Sequence, residues 1–250
     1  MPPTNAAHRE VRAEYLTPAE LDDALREASI VYLPLGSIEF HGPHLPVGLD
    51  AMNAHGVCVA AAVIGGGVVA PPVYQGIGGG HSDYPWTIMM RSGDALASQL
   101  WDTLERLQDL GVALAVIFTG HFAGEQLDAI DTIAREWSEG GQHRLRVIAT
   151  GVNRCDSSPI APDHAGIFET TLLYAIEPEL VHVELLPARG DHPSIDPGGD
   201  SFGAHRHEPS HPLWGVFGPD PRDFDREAAP GLLSTLAGWL ANSASDALRT

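Results

Sequence analysis

The segment Glu39-Phe40-His41-Gly42-Pro43-His44-Leu45-Pro46-Val47-Gly48-Leu49-Asp50 gathers two carboxylates and two imidazoles in one short stretch. An apolar run, Ile30-Val31-Tyr32-Leu33-Pro34-Leu35, leads into it, and glycines and prolines hold the rest out of regular structure. Carboxylate oxygens and imidazole nitrogens are donors that zinc, manganese and iron accept. A divalent ion acidifies water and polarises carbonyls, so such a site points first to hydrolysis. Glu39 and His41 lie two residues apart and face the same way in extended chain. Asp50 returns after a turn shaped by proline and glycine to open a helix, where it also reads as a plain N-cap. His44, stiffened between Pro43 and Pro46, reads as a group that orders the ligands. His121, in Thr119-Gly120-His121, follows a second apolar run and reads either as a ligand or as a histidine bonded to nearby backbone.

Sites in open parallel sheets lie beyond the carboxyl ends of the strands, and the predicted elements bring these residues there. Residues 30–35 and 112–118 are nearly all apolar, the pattern of strands buried on both faces. Residues 68–73, 145–150 and 180–186 read as further strands. Thr17-Pro18-Ala19-Glu20 opens a helix, with threonine as cap and proline at the first helical position, that runs to about residue 28. Residues 50–64, 93–110, 125–137, 164–176 and 224–248 read as helices; in 93–110 the leucines 96, 100, 104 and 107 mark one face. Residues 1–17 read as a mobile lead-in. Residues 187–221 read as irregular, and His192, His205, His207 and His211 within them read as loop or oligomer-contact histidines, their spacing matching no common metal site. The loop Gly76-Ile77-Gly78-Gly79-Gly80 lacks the lysine and hydroxyl residue of a phosphate-binding loop. Strand–helix alternation implies one α/β domain over residues 1–250, a mostly parallel sheet covered by helices on both sides.

Composition narrows the function. The 250 residues carry 33 Asp and Glu against 14 Lys and Arg, a net charge of −19. That balance argues against nucleic acid and anionic membranes as partners. The two cysteines, Cys58 and Cys155, make neither a disulfide framework nor a zinc ribbon, and Cys58 reads as a small core hydrophobe. No signal peptide and no membrane-length apolar run is visible, so a cytoplasmic protein is expected.

Motifs in order along the chain carry a resemblance. Leu33-Pro34-Leu35-Gly36-Ser37-Ile38-Glu39-Phe40-His41-Gly42-Pro43-His44-Leu45-Pro46 resembles the signature of the creatininase family, the creatinine amidohydrolase-like hydrolases. Thr119-Gly120-His121 resembles the family's Asn-Gly-His motif. Asp163-His164-Ala165-Gly166-Ile167-Phe168-Glu169-Thr170 resembles its His-Ala-Gly…Glu-Thr motif, and Gly215-Val216-Phe217-Gly218-Pro219 resembles its C-terminal glycine turn. The resemblance implies a three-layer α/β/α sandwich with two divalent metal ions, zinc first and manganese or iron as alternatives. It implies Glu39 and His121 on one ion, His41 on the other and Asp50 bridging both. It implies His164 as general acid and base, and a homo-oligomer, commonly a hexamer. The family pattern places a glutamate ligand two residues after the histidine of its Gly-His motif, where this chain has Ala123. Glu169, Glu125 or water then fills that place, with Glu169 favoured as metal ligand and catalytic group. The family's Phe-Pro-Gly-Thr segment appears as Tyr84-Pro85-Trp86-Thr87, so Trp86 is expected to fill space near the site. His81, Trp86, Thr87 and Phe122 are the expected substrate contacts.

The implied reaction is hydrolysis of a C–N bond in a small amide, cyclic amide or formamide. A water acidified by the two metals attacks as hydroxide, and His164 protonates the leaving group. Both departures argue against creatinine itself. Two alternatives stand beside this reading: ring-opening C–C hydrolysis of a cyclic ketone or cyclitol-derived substrate, and a non-catalytic assembly protein stabilised by its metals.

Overall fold

The computed structural model of the chain describes residues 9–141 and 143–249. The strands β1 (Ile30–Leu35), β2 (Val68–Val69), β3 (Leu114–Thr119) and β4 (Arg146–Gly151) form one parallel sheet in the order β2-β1-β3-β4. Register aligns Leu35 with Thr119 and Thr119 with Gly151, so three strands end along one edge. Successive side chains of a strand point to opposite faces. Ile30, Tyr32, Leu114, Val116 and Phe118 therefore pack on one side, against α2 (Leu49–Gly65), α5 (Ile167–Ile176) and α6 (Ala229–Arg249). Val31, Leu33, Leu35, Ala115 and Ile117 pack on the other, against α1 (Pro18–Glu27), α3 (Asp94–Asp109) and α4 (Gly124–Glu139). The result is the expected three-layer α/β/α sandwich. Cys58 sits fully buried in the first of these cores, as a free thiol. Among the described residues no helix is long and apolar enough to cross a membrane.

Helix α1 begins with the threonine cap read from its sequence, and Glu20 closes it into a capping box: the Thr17 hydroxyl accepts from the Glu20 amide and the Glu20 carboxylate accepts from the Thr17 amide. Several elements differ from expectation. Of the lead-in 1–17, residues 1–8 lie outside the described residues. The remainder is anchored, because Val11 is buried and Arg12 bridges to Val69. The strand at 68–73 shortens to two residues because Pro71 and Pro72 have no amide hydrogen for the ladder; only a single bridge, Leu35 to Val73, continues it. Residues 180–186 are not a strand. They fold as 3-10 turns at Pro178–Leu180 and Val183–Leu185, with Leu185 59% exposed and the His182 amide turned onto the His44 carbonyl. The last helix starts at Ala229, after 3-10 turns at Pro221–Asp223 and Arg226–Ala228. His164 lies before α5 rather than on it. Ala165, at φ 57°, and Gly166 turn the chain there, and an antiparallel bridge pairs His164 with Phe217.

Candidate active site

Past the end of β1 the chain leaves the sheet but is tethered at residues 38 and 39. Ile38 bridges to Ile88, and the Glu39 amide donates to the Val47 carbonyl at 2.8 Å. Glu39 and His41 both turn toward the interior from there. The first turn of α2 carries Asp50, one residue inside the helix; Gly48 holds the cap position, so Asp50 is not the N-cap. The turn is wedged between the ends of β1 and β3. Gly36 and Gly120 permit this, because a Cβ on either would overlap the backbone of Asp50 or Ala51. His121 follows β3, and Glu169 lies in the first turn of α5.

These side chains converge in the interior. His121 Nδ1 lies 3.0 Å from Glu39 Oε2 and 3.2 Å from Asp50 Oδ2. His41 Nε2 lies 3.1 Å from Asp50 Oδ1 and 3.6 Å from Glu169 Oε2. Asp50 thus turns one oxygen to each of two buried triads, Glu39–Asp50–His121 and His41–Asp50–Glu169, and within each triad the possible ligand atoms lie within 4.8 Å of one another. The second nitrogen of each imidazole is fixed on backbone. His41 Nδ1 donates to the Glu39 carbonyl at 2.9 Å, and His121 Nε2 to that of Ile77 at 3.0 Å. Those bonds leave the inward nitrogens as lone pairs in the neutral rings. His41 Nε2 is buried without a hydrogen-bond partner.

A cavity of about 170 Å³ opens onto the triads. His81, Phe122, Ala123 and His164 are in its wall, with no lysine or arginine. His164 Nε2 donates to the Phe40 carbonyl at 3.0 Å, so Nδ1 is bare. Burial, with His41 close by, pushes His164 down to about 3, so it is neutral. Burial works to raise the Glu39 carboxyl, yet the imidazoles around it, with His121 and His81 bonded to its oxygens, outweigh burial and hold it well below the usual range. For His41 and His121, burial is outweighed by the neighbouring carboxylates, Asp50 foremost, and both rise to about 10. Glu169 is pushed up by burial and by Asp50. Glu39 and Asp50 thus take their compensating charge from His41 and His121, while Glu169 is shifted toward its neutral acid.

Of the residues singled out from sequence, Glu39, His41, Asp50, His121, Glu169, His164, His81 and Phe122 meet at this place. His81 bonds Glu39 Oε1 through Nδ1, which turns Oε2 toward His121. Glu169, not Glu125, reaches the triads; Glu125 lies at the surface, accepting from the Gly79 amide. Trp86 does not fill the cavity. A tight turn from Tyr84 to Thr87 points Tyr84 inward and leaves Trp86 80% exposed at φ 58°. The Thr87 hydroxyl is taken up by the Phe40 amide at 3.0 Å, so it steadies the ligand segment from outside the cavity wall. Ser37 stands in the same signature without a role of its own assigned to it. Fully buried, it donates to Asp50 Oδ2 at 2.7 Å, and its only signal was its place two residues before Glu39.

The creatininase family, described as creatinine amidohydrolase, matches residues 14–243. The chain belongs to that family. It is a creatininase-family hydrolase. A creatinine amidohydrolase from Pseudomonas putida is 26% identical over 226 residues, 82% of this chain and 79% of that protein. A mycofactocin precursor peptide peptidase from Mycobacterium ulcerans (strain Agy99) is 31% identical over 167 residues, 63% of this chain and 62% of that protein. The crystal structure of a creatinine amidohydrolase superposes with a TM-score of 0.76 at 23% identity, covering 97% of this chain and 99% of the other, which establishes the fold. Solved creatininases of this fold include one named for Mn and one for a Zn–Zn pair.

Proposed function

We propose that this creatininase-family protein hydrolyses a C–N bond of a small amide, cyclic amide or formamide at a two-metal centre. The observation that carries the reading is Asp50, which shares its two oxygens between two buried triads, one containing the orphaned His41 Nε2. Oxygen and imidazole donors of this kind fit zinc, manganese or iron. Glu39 and His121 would hold one ion, His41 and Glu169 the other, and Asp50 both. When bound, the pair would acidify water and polarise the substrate carbonyl. His164, neutral and bare at Nδ1, accepts the proton of the attacking water and returns it to the leaving nitrogen. Phe122 and Ala123 border the reacting group, and Ala123 leaves space where the family pattern has a glutamate. That departure supports a substrate other than creatinine. Exposed Trp86 and Ile88 support the homo-oligomer that the resemblance implies.

The test is metal content per chain, on protein purified without added metal or chelator, for wild type and Asp50→Ala. Two equivalents in wild type, falling together with turnover of a lactam, hydantoin and formamide panel in the variant, is the expected result. Full activity in Asp50→Ala overturns the reading. Cyclitol ketones in the same panel separate C–N from C–C hydrolysis.

A further inference from the structure

His164 is placed by a turn that needs holding from outside. Ala165, at φ 57°, occupies a region disfavoured for any residue with a Cβ. On the helix side, the Asp163 carboxylate accepts from the Gly166 amide at 3.1 Å and the Phe168 amide at 2.9 Å. On the other side, His164 and Phe217 exchange both backbone bonds, as a hydrogen-bonded antiparallel pair does. The His164 amide donates to the Phe217 carbonyl at 2.9 Å, and the Phe217 amide to the His164 carbonyl at 2.8 Å. The Phe217 ring also stacks at 5.3 Å on His81 in the cavity wall. Where Phe217 lies therefore sets where the backbone of His164 lies.

One side chain holds residues 216–218 along their opposite edge. Phe217 faces His164, so the carbonyls of Val216 and Gly218 on either side of it turn away. Arg206, fully buried, donates through Nη1 to the Val216 carbonyl at 2.9 Å and through Nη2 to that of Gly218 at 3.5 Å. Its own carbonyl accepts from the Gly215 amide at 2.8 Å. Asp196 fixes the guanidinium, accepting from Nε and Nη2, each at 2.7 Å. His205 Nε2 lies on the same carboxylate at 2.9 Å. Asp196, His205 and His211 are also grouped as possible metal ligands, but the guanidinium occupies both oxygens of Asp196. A buried ion pair adds little net stability over well-packed apolar residues. What the planar fork of arginine supplies is direction: a carboxylate on one side, two carbonyls on the other.

We infer that Arg206 is a positioning residue for His164, acting through the backbone of Val216, Phe217 and Gly218. It does not line the cavity and touches none of the proposed metal ligands. The inference rests on the hydrolase reading for the proton that His164 moves, and on geometry alone for where its ring stands.

Arg206→Lys keeps the buried charge but loses the fork, and the zinc-loaded protein tests it on the lactam, hydantoin and formamide panel. kcat should fall about tenfold, with KM and metal content within about twofold of wild type, because His164 moves a proton rather than holding substrate. In a His164→Ala background the same substitution should change kcat by less than about twofold, since nothing is left to position. An equal fall in both backgrounds, or an unchanged kcat in Arg206→Lys, overturns the inference. The ring is followed separately by NMR of isotope-labelled histidines. The imidazole N–H signal that disappears in His164→Ala, bonded to the Phe40 carbonyl, should exchange with water about tenfold faster in Arg206→Lys. Unchanged exchange overturns the inference even where no amide is turned over. Faster exchange with no turnover by wild type overturns the hydrolase reading alone. Where Arg206→Lys does not fold, Arg206→Met combined with Asp196→Leu removes the fork without leaving a buried charge and carries the same measurements.

Discussion

Asp50 and His164 divide the proposed chemistry between binding and proton transfer, and their surroundings differ accordingly. Asp50 is pinned by Ser37 and faces two imidazoles; His164 touches none of the three carboxylates by hydrogen bond and hangs from the Phe40 carbonyl. His164→Ala is therefore expected to keep the wild-type metal content while kcat falls roughly 10²- to 10⁴-fold, the usual worth of a positioned acid–base group; metal analysis beside steady-state kinetics checks it. His44 makes a different prediction. It is fully buried, its Nδ1 has no partner, and burial, with His41 nearby, depresses it to about 3 from 6.5. The unfolded chain binds this proton below its ordinary value and the folded chain does not. The contribution of a neutral His44 is thus complete above about 6.5 and is lost as pH falls toward 3. Urea unfolding between pH 7 and 4 should show a stability slope in His44→Gln shallower by up to about 1.4 kcal/mol per pH unit, one proton's worth. Parallel slopes for the two proteins would sink it.

Helix α2 delivers Asp50 because two strand ends leave room for its first turn. At Gly120 an added Cβ would overlap the Asp50 carbonyl, which is backbone and cannot swing away. Gly120→Ala should lower stability by about 3 kcal/mol or more in urea melts and reduce metal content with it. Gly238→Ala, in α6 with no neighbour within 4 Å, should instead be neutral or stabilising by up to about 1 kcal/mol. Equal and small effects at both positions would show that the wedge does not position Asp50. Elements of this kind were legible in the sequence because each has a local cause. The runs at β1 and β3 are apolar throughout, and the leucines of α3 fall on one face. What was not legible depends on distant partners. The segment at 180–186 has strand composition but no neighbouring strand to pair with. His164 leaves the helix because Phe217 bridges it, and Trp86 turns outward because Tyr84 takes the inward place. Ser37 acquires meaning only from Asp50, which its own neighbourhood does not announce.

The proposed ligands come from four separate places in the fold: the exits of β1 and β3 and the first turns of α2 and α5. An ion at each triad would therefore join parts of the chain far apart in sequence, and would replace the imidazolium protons of His41 and His121 that otherwise balance Glu39 and Asp50. Ligands that bind only the folded state stabilise it by mass action, about 2.7 kcal/mol at a free concentration a hundredfold above Kd. The whole molecule should consequently melt at a lower temperature after chelation, recover on adding zinc or manganese, and show a midpoint that climbs with the logarithm of free metal. Asp50→Ala should flatten that dependence, because it removes the oxygens common to both triads. The net charge of −19 gives a competing cause, since any divalent cation screens carboxylate repulsion over the surface. Magnesium separates the two: it screens as well as zinc but favours octahedral oxygen ligands over imidazole. Recovery with magnesium equal to that with zinc, or a midpoint indifferent to chelation in protein shown to be metal-free, would mean that the buried carboxyls are balanced by histidine alone.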